Sequence, residues 1–285
     1  MNKIFKVKEL LKETAIKAGF DSFGVCSVED FSAEESCKIQ NWLKCGMNAE
    51  MKYLERSLPT KISPRKFFED AKSAICLSAN FYRPTEDNRI ATYAQGEDYH
   101  NVLKECVKPI LTKIEELGGS YKVSIDASPL WEKALARRAG IGWIGKNTLI
   151  IRKENGAWSF LCIILTSLEL PFDTPIAESC GDCEACIKSC PSKAISEKGL
   201  DARKCISYLT IENKKPLSIE ESKLVGNKIF GCDICLRACP YTANAPQPKI
   251  EKFNTKIELP KSPTLQDILK VAKATPMSRR FKQTI

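Results

Sequence analysis

Apolar positions in the first 170 residues switch repeatedly between a helical and a strand period. In the opening stretch MNKIFKVKELLKETAIKAGF, Ile4, Val7 and Leu11 recur at helical spacing with lysines between them, which predicts an amphipathic N-terminal helix. The runs SFGVCSV (22–28) and SAICLSANFY (73–82) are apolar and bounded by polar segments, as strands are. A helix is expected from about Tyr99 to Leu117, where Gly118 and Gly119 stop it. Strand YKVSID (121–126), helix PLWEKALARRAG (129–140) and strands NTLIIR (147–152) and WSFLCIILTSL (158–168) complete an α/β (α+β) layered domain over residues 1–170. Pro171 and Pro175 mark a linker into a cysteine-rich domain, residues 171–248, with short helical turns, and a tail follows over 249–285.

Composition narrows the class. A 43% hydrophobic fraction over 285 residues is enough to bury a core. The N-terminus has no apolar signal region, and the longest clean apolar run, Phe160 to Leu165, is too short to span a bilayer, so a cytoplasmic protein without membrane contact is expected. Eight of the fourteen cysteines crowd between Cys180 and Cys239, and in a reducing compartment such clustering means metal. The other six, Cys26, Cys37, Cys45, Cys76, Cys106 and Cys162, sit among apolar neighbours and are expected to be packing residues. The net charge is +9, of which +6 lies in 249–285, where nine Lys/Arg face three Asp/Glu. An RNA partner and a merely solvated basic tail explain that excess equally well.

The cysteine spacing carries the chemistry. Cys180, Cys183, Cys186 and Cys190, followed by Pro191, form the bacterial ferredoxin run C-x2-C-x2-C-x3-C-P. In two-cluster ferredoxins the fourth cysteine of such a run serves the other cluster, so the run calls for a partner. That partner is Cys232, Cys235 and Cys239 before Pro240, with Ile229 where the first cysteine would stand. Cys205 is the remaining cysteine of the segment and supplies the missing ligand. One 4Fe–4S cluster is therefore assigned to Cys180, Cys183, Cys186 and Cys239, and the other to Cys190, Cys205, Cys232 and Cys235. Structural zinc is the alternative, and the two C-P endings without a local histidine favour clusters. Two cubes make an electron wire, so the chain must contain or dock an acceptor. No G-x-G-x-x-G opens a helix after a strand, and the single histidine, His100, excludes bis-histidine haem. The glycines of GIGWIGKNT (140–148) suit either backbone approach to a polar cofactor or a tight turn.

Taken together, IDASPLWEKALARRAGIGWIGKNTLII, the earlier GEDYH, MKYLERS followed by SPRKFF, and RKCISYLTIE between two ferredoxin motifs resemble the epoxyqueuosine reductase family over roughly residues 5 to 248. The resemblance implies a cobalamin-binding catalytic domain followed by a ferredoxin-like domain with two 4Fe–4S clusters. It implies reduction of epoxyqueuosine to queuosine at the wobble position of tRNA, with cob(I)alamin attacking the epoxide. Longer members continue into a helical-repeat domain, so a short form ending at Ile285 implies a smaller RNA surface. Asp126 matches the family's acid, although the residues alone fit a helix N-cap equally well. Arg56, Tyr99, His100, Lys146, Asn147 and Ser207 match positions near the corrin. The implied partners are the tRNA anticodon stem-loop and an external low-potential electron donor, with a monomer expected. Two other readings are a cobalamin-dependent reductase of a small molecule, such as a dehalogenase, and an electron-transfer module.

Overall fold

The computed structural model describes residues 3–254, 259–260, 263–264, 266–268 and 270. Most of the basic tail, including Arg279, Arg280 and Lys282, lies outside the described residues. In chain order the first part contains α1 (Lys3–Lys17), β1 (Ser22–Cys26), α2 (Ala33–Lys44), α3 (Lys52–Arg56), α4 (Leu58–Ile62), β2 (Ser73–Asn80), α5 (Tyr99–Glu116), β3 (Tyr121–Ser124) and α6 (Glu132–Arg138). A small hairpin of β4 (Trp143–Ile144) and β5 (Ile150–Ile151) follows, then β6 (Ser159–Thr166). The cysteine segment adds α7 (Ala185–Ser189), β7 (Ile195–Ser196), β8 (Gly199–Leu200), α8 (Ile206–Ile211), α9 (Ile219–Val225) and α10 (Ile234–Arg237).

The main sheet has the order β1-β2-β6-β3, and every pair in it is antiparallel. Strand β2 runs in full register with β6, from Ser73 opposite Thr166 to Asn80 opposite Ser159, and all eight of its residues are buried. Its continuous apolar run is explained by cover on both faces, because alternate side chains leave a strand in opposite directions. Ile75, Leu77 and Ala79 join one core with Leu11 and Ala15 of α1 and Leu103, Ile110 and Ile114 of α5. Ala74 and Cys76 join the other with Ala134, Leu135 and Ala136 of α6. At the approach of α6 to β1 only glycine fits: a Cβ on Gly24 would stand 2.1 Å from the Ala139 carbonyl oxygen.

Several sequence expectations shift at their edges. In α1 the buried residues are Lys8, Leu11 and Ala15, while Ile4 is 40% exposed. The run 147–152 yields only the two residues of β5, outside the main sheet, and the strand begun at Tyr121 ends at Ser124. Helix α6 starts at Glu132 rather than 129, because a turn through Pro129 precedes it. Cys26, Cys76 and Cys162 are packing residues and Cys106 is half-buried, whereas Cys37 and Cys45 are exposed. Helix α2 buries only Ser36, so Cys37 sits on its outward side.

The cysteine segment is pinned to the first part at several points. Trp42 Nε1 donates to Leu200 O (2.6 Å), Ala91 N to Phe230 O (2.8 Å) and Thr92 N to Asp233 Oδ2 (2.6 Å). Beyond it the chain returns: Asn80 Nδ2 donates to Pro246 O, and Ile250 and Phe253 enter the core of α1, α5 and the sheet.

Candidate functional site

Asp126 stands two residues past the end of β3. Its φ is +58°, and Ala127 N donates to Ile125 O (2.6 Å) around it, which makes it the apex of a tight three-residue turn. It is not an N-cap: α6 starts six residues later, behind Trp131, and has no side-chain cap. Helix α5 supplies its partners. Asp98 caps that helix by accepting from His100 N, which presents Tyr99 and His100 in the first turn. The Tyr99 hydroxyl donates to Asp126 Oδ2 at 2.6 Å, and His100 Nε2 lies 3.3 Å from the same oxygen. His100 Nδ1 lies 2.6 Å from Asp98 Oδ1. The Tyr99 ring is sandwiched between His100 (4.0 Å between centroids) and Phe160 (4.2 Å).

These contacts set the proton chemistry. Burial works against a charged His100, but its hydrogen bonds to Asp126 and Asp98 prevail and raise its pKa above the usual histidine value. Burial, reinforced by the Asp126 charge, holds the Tyr99 hydroxyl protonated. The Asp126 side chain is 64% exposed, so the carboxyl that Tyr99 and His100 hold from within faces outward.

Sequence reasoning missed the support beneath this turn. Glu132, in the first turn of α6, accepts at one oxygen from Asp126 N (2.9 Å) and the Ser124 hydroxyl (2.5 Å). Burial pushes its pKa up to about 7. Lys61 and Lys133 flank it; burial lowers both of their pKa values, and each donates to a carbonyl, Leu130 O and Thr148 O. Tyr53 of α3 is 46% exposed, yet burial of part of the ring, with Glu212 and Asp126 nearby, pushes its pKa up to about 12. Arg56 ends that same helix, exposed. In the sequence Glu132 is marked only by its place three residues after Pro129, where the chain bends and folds the first turn of α6 back under β3.

The eight cysteines of the second part sort by which thiols raise one another's pKa. Cys239 is raised by burial and then by Cys180, Cys183 and Cys186. Cys205 is raised by burial and then by Cys190, and Cys232 by burial and then by Cys205. Burial moves Cys235 furthest, followed by Cys232, Cys205 and, across the gap between the two groups, Cys186. Lys146, Asn147 and Tyr241 line an apolar cavity together with Cys180, Cys183, Cys186 and Cys239. Among the described residues no three His, Cys, Asp or Glu side chains are arranged to hold a single metal ion. Trp143 Nε1 donates to Cys180 Sγ and Ala194 N to Cys190 Sγ, both at 3.4 Å, the kind of contact that tunes cluster potentials.

The remaining candidates divide between the two thiol groups. Lys146 and the buried Asn147 sit at the tip of the β4–β5 hairpin beside the first group, so GIGWIGKNT is both a tight turn and a cavity lining. Ser207 is two residues from Cys205 on α8.

A mixed α/β fold that carries an outward-facing carboxyl and eight thiols gathered in one segment points to an iron–sulfur oxidoreductase. Comparison with known proteins agrees. Residues 179–242 match the family model "4Fe-4S double cluster binding domain", and residues 61–127 match "Epoxyqueuosine reductase QueG, DUF1730". Epoxyqueuosine reductase of Cellulophaga algicola is 38% identical over 251 residues, covering 85% of this chain and 81% of its own. The Vibrio cholerae enzyme is 37% identical, covering 87% and 70%. An epoxyqueuosine reductase solved with an epoxyqueuosine-modified tRNA-Tyr stem loop superposes with a TM-score of 0.83 at 26% identity, covering 98% of this chain and 78% of that one. The Bacillus subtilis enzyme, solved with its catalytic aspartate loop swung out of the active site, gives 0.78 at 26%, covering 88% and 70%. The chain belongs to the epoxyqueuosine reductase family. Reductive dehalogenase NpRdhA shares the fold alone, with a TM-score of 0.53 at 15% identity, covering 98% of this chain and 35% of that one. Among the described residues no helix is long and apolar enough to cross a membrane.

Proposed function

We propose that this chain reduces epoxyqueuosine to queuosine at the wobble position of tRNA, with Asp126 as the acid beside the corrin face of a bound cobalamin. The proposed cluster ligands are Cys180, Cys183, Cys186 and Cys239 for one cube and Cys190, Cys205, Cys232 and Cys235 for the other. The observation that carries the reading is the convergence of Tyr99 and His100 on one oxygen of an outward-facing Asp126. The donor set also fits a corrin: both ring nitrogens of the sole histidine face carboxylates, so the group would be held at its periphery rather than through an imidazole on cobalt. Tyr99 and His100, with Arg56, Lys146, Asn147 and Ser207, are the residues proposed to hold it.

When bound, the clusters supply single electrons and the corrin a strongly reducing, nucleophilic cobalt. The net change removes the epoxide oxygen as water and leaves a carbon–carbon double bond, consuming two electrons and two protons. Asp126 delivers a proton to the departing oxygen. Tyr99 orients the carboxyl, and His100, whose charged form its contact with Asp98 favours, returns a proton to Asp126 once the acid has given its own away. Tyr53, exposed beside this acid, offers a ring on which a loop base stacks. An external low-potential donor feeds the clusters, and the protein works as a cytoplasmic monomer.

The test is incubation of epoxyqueuosine-containing tRNA with protein reconstituted with iron, sulfide and cobalamin, under a strong reductant, followed by mass spectrometry of the nucleosides. Queuosine is the expected product, and its absence overturns the reading. Asp126→Asn should retain iron and corrin and lose turnover by at least about 100-fold, because an amide cannot act as the acid; undiminished turnover removes Asp126 from the mechanism.

A further inference from the structure

We propose that Glu132 is a positioning residue that clamps the Asp126 turn in its working conformation; the inference rests on the reading of Asp126 as the acid. The backbone supplies the first argument. Asp126 combines a φ of +58° with the Ala127 N to Ile125 O bond, a turn that is rare and strained for a residue with a side chain. Such a turn persists only where its surroundings over-determine it. The Glu132 carboxylate does this from below. A single oxygen takes the Asp126 N–H and the hydroxyl of Ser124, the last residue of β3, tying the turn at once to the sheet and to α6.

The second argument is the position of that carboxylate. Ionised Glu132 sits where burial disfavours charge, facing Asp126 across the turn, with Lys61 and Lys133 alongside and Tyr99, Cys76 and Cys162 within electrostatic reach. A glutamine would hold the same shape without that penalty, yet a carboxylate accepts two hydrogen bonds more strongly than an amide. A third argument is that the catalytic aspartate loop of the Bacillus subtilis relative has been seen swung out of its active site. A loop able to leave needs a restraint when in place, and among the described residues Glu132 is the side chain that takes the Asp126 amide.

The clamp is tested with Glu132→Ala and Glu132→Gln in the reconstituted protein, read by kcat and KM and, separately, by hydrogen exchange of the 121–131 peptide without any tRNA. Glu132→Ala should lower kcat about 100-fold with KM nearly unchanged, since a displacement near 1 Å at the reacting centre costs about that much. Its 121–131 peptide should exchange faster while iron and corrin content stay at wild-type levels. Glu132→Gln should restore most of the rate and the protection, because its amide oxygen still accepts from Asp126 N. Wild-type rate and protection in Glu132→Ala overturn the clamp, and so does a Glu132→Gln protein as slow and as unprotected as Glu132→Ala. If instead Asp126→Asn is fully active, the acid reading itself fails, and that result does not depend on Glu132.

Discussion

Strand β2 buries all eight of its residues, whereas α9, the longest helix of the cysteine segment, buries one of seven. The sheet and its helices close two large apolar cores. The segment from 179 to 242 owns one small cluster, Ala202, Ile206, Tyr208, Leu209 and Val225, and that cluster borrows Ala49 and Met51 from the first part. Its helices run four to seven residues, too short to persist on propensity alone. Apolar burial thus specifies the first region, and ligand bonds must specify the second. The difference explains why eight thiols are gathered where the chain has almost no core.

Stripping the iron should test this contrast most severely. Chelation under anaerobic conditions should abolish hydrogen-exchange protection across residues 180–239 while the amides of β2 and β6 remain protected. Cys205→Ser should remove about half of the eight irons that two 4Fe–4S clusters contain and leave the other cube's signal in place. Full iron content in that variant would refute the assignment of Cys205. Concerted loss of protection in the sheet would refute the contrast itself.

The converse perturbation is smaller. Leu77→Ala, at the centre of the first core, should destabilise the sheet by about 2–5 kcal/mol in denaturant unfolding and leave iron content per folded chain unchanged.

Smallest is the expected response to pH, and the two regions should respond in opposite senses. Cluster ligation needs thiolates, so it gains as pH rises. Glu132 belongs to the other side. Its carboxyl titrates near 7 in the fold against about 4.5 when solvated, so its contribution to stability is fully present below about 4.5 and is lost as pH rises through 7. The loss is on the order of 3 kcal/mol. Glu132→Gln should therefore unfold at higher temperature than wild type at pH 8 and at nearly the same temperature at pH 4.5. Equal differences at the two pH values would show that the carboxyl is not titrating in the fold.

How much of this was legible in the sequence follows the same division. The buried strands at 73–80 and 159–166 were read within two residues, because a continuous apolar run between polar flanks has few alternative structures. Direction of pairing was not legible, since the pattern of Ile75, Leu77 and Ile164 reports burial rather than the sense of the neighbour. The cysteine spacing announced clusters before any fold was known, because ferredoxin chemistry fixes the loop lengths between ligands. Asp126 is legible through its motif, but the strand expected over 121–126 stops at Ser124; a positive φ at an aspartate leaves no periodic trace. Glu132 stayed hidden for a related reason: in PLWEKALARR it reads as a helix residue, and only the bend at Pro129 brings it back to Asp126 N.

The return of residues 246–254 to the first core bears on how the molecule is made. Phe253 packs on Phe160 at 5.1 Å, and Ile250 lies so close to Gly19 that a Cβ there would meet its side chain at 2.8 Å. The core that begins with α1 is thus completed by residues synthesised after the last cysteine. Closure then gathers both ends of the cysteine segment onto one body, making it a tethered loop whose ends need not find each other again when a cluster is lost and replaced.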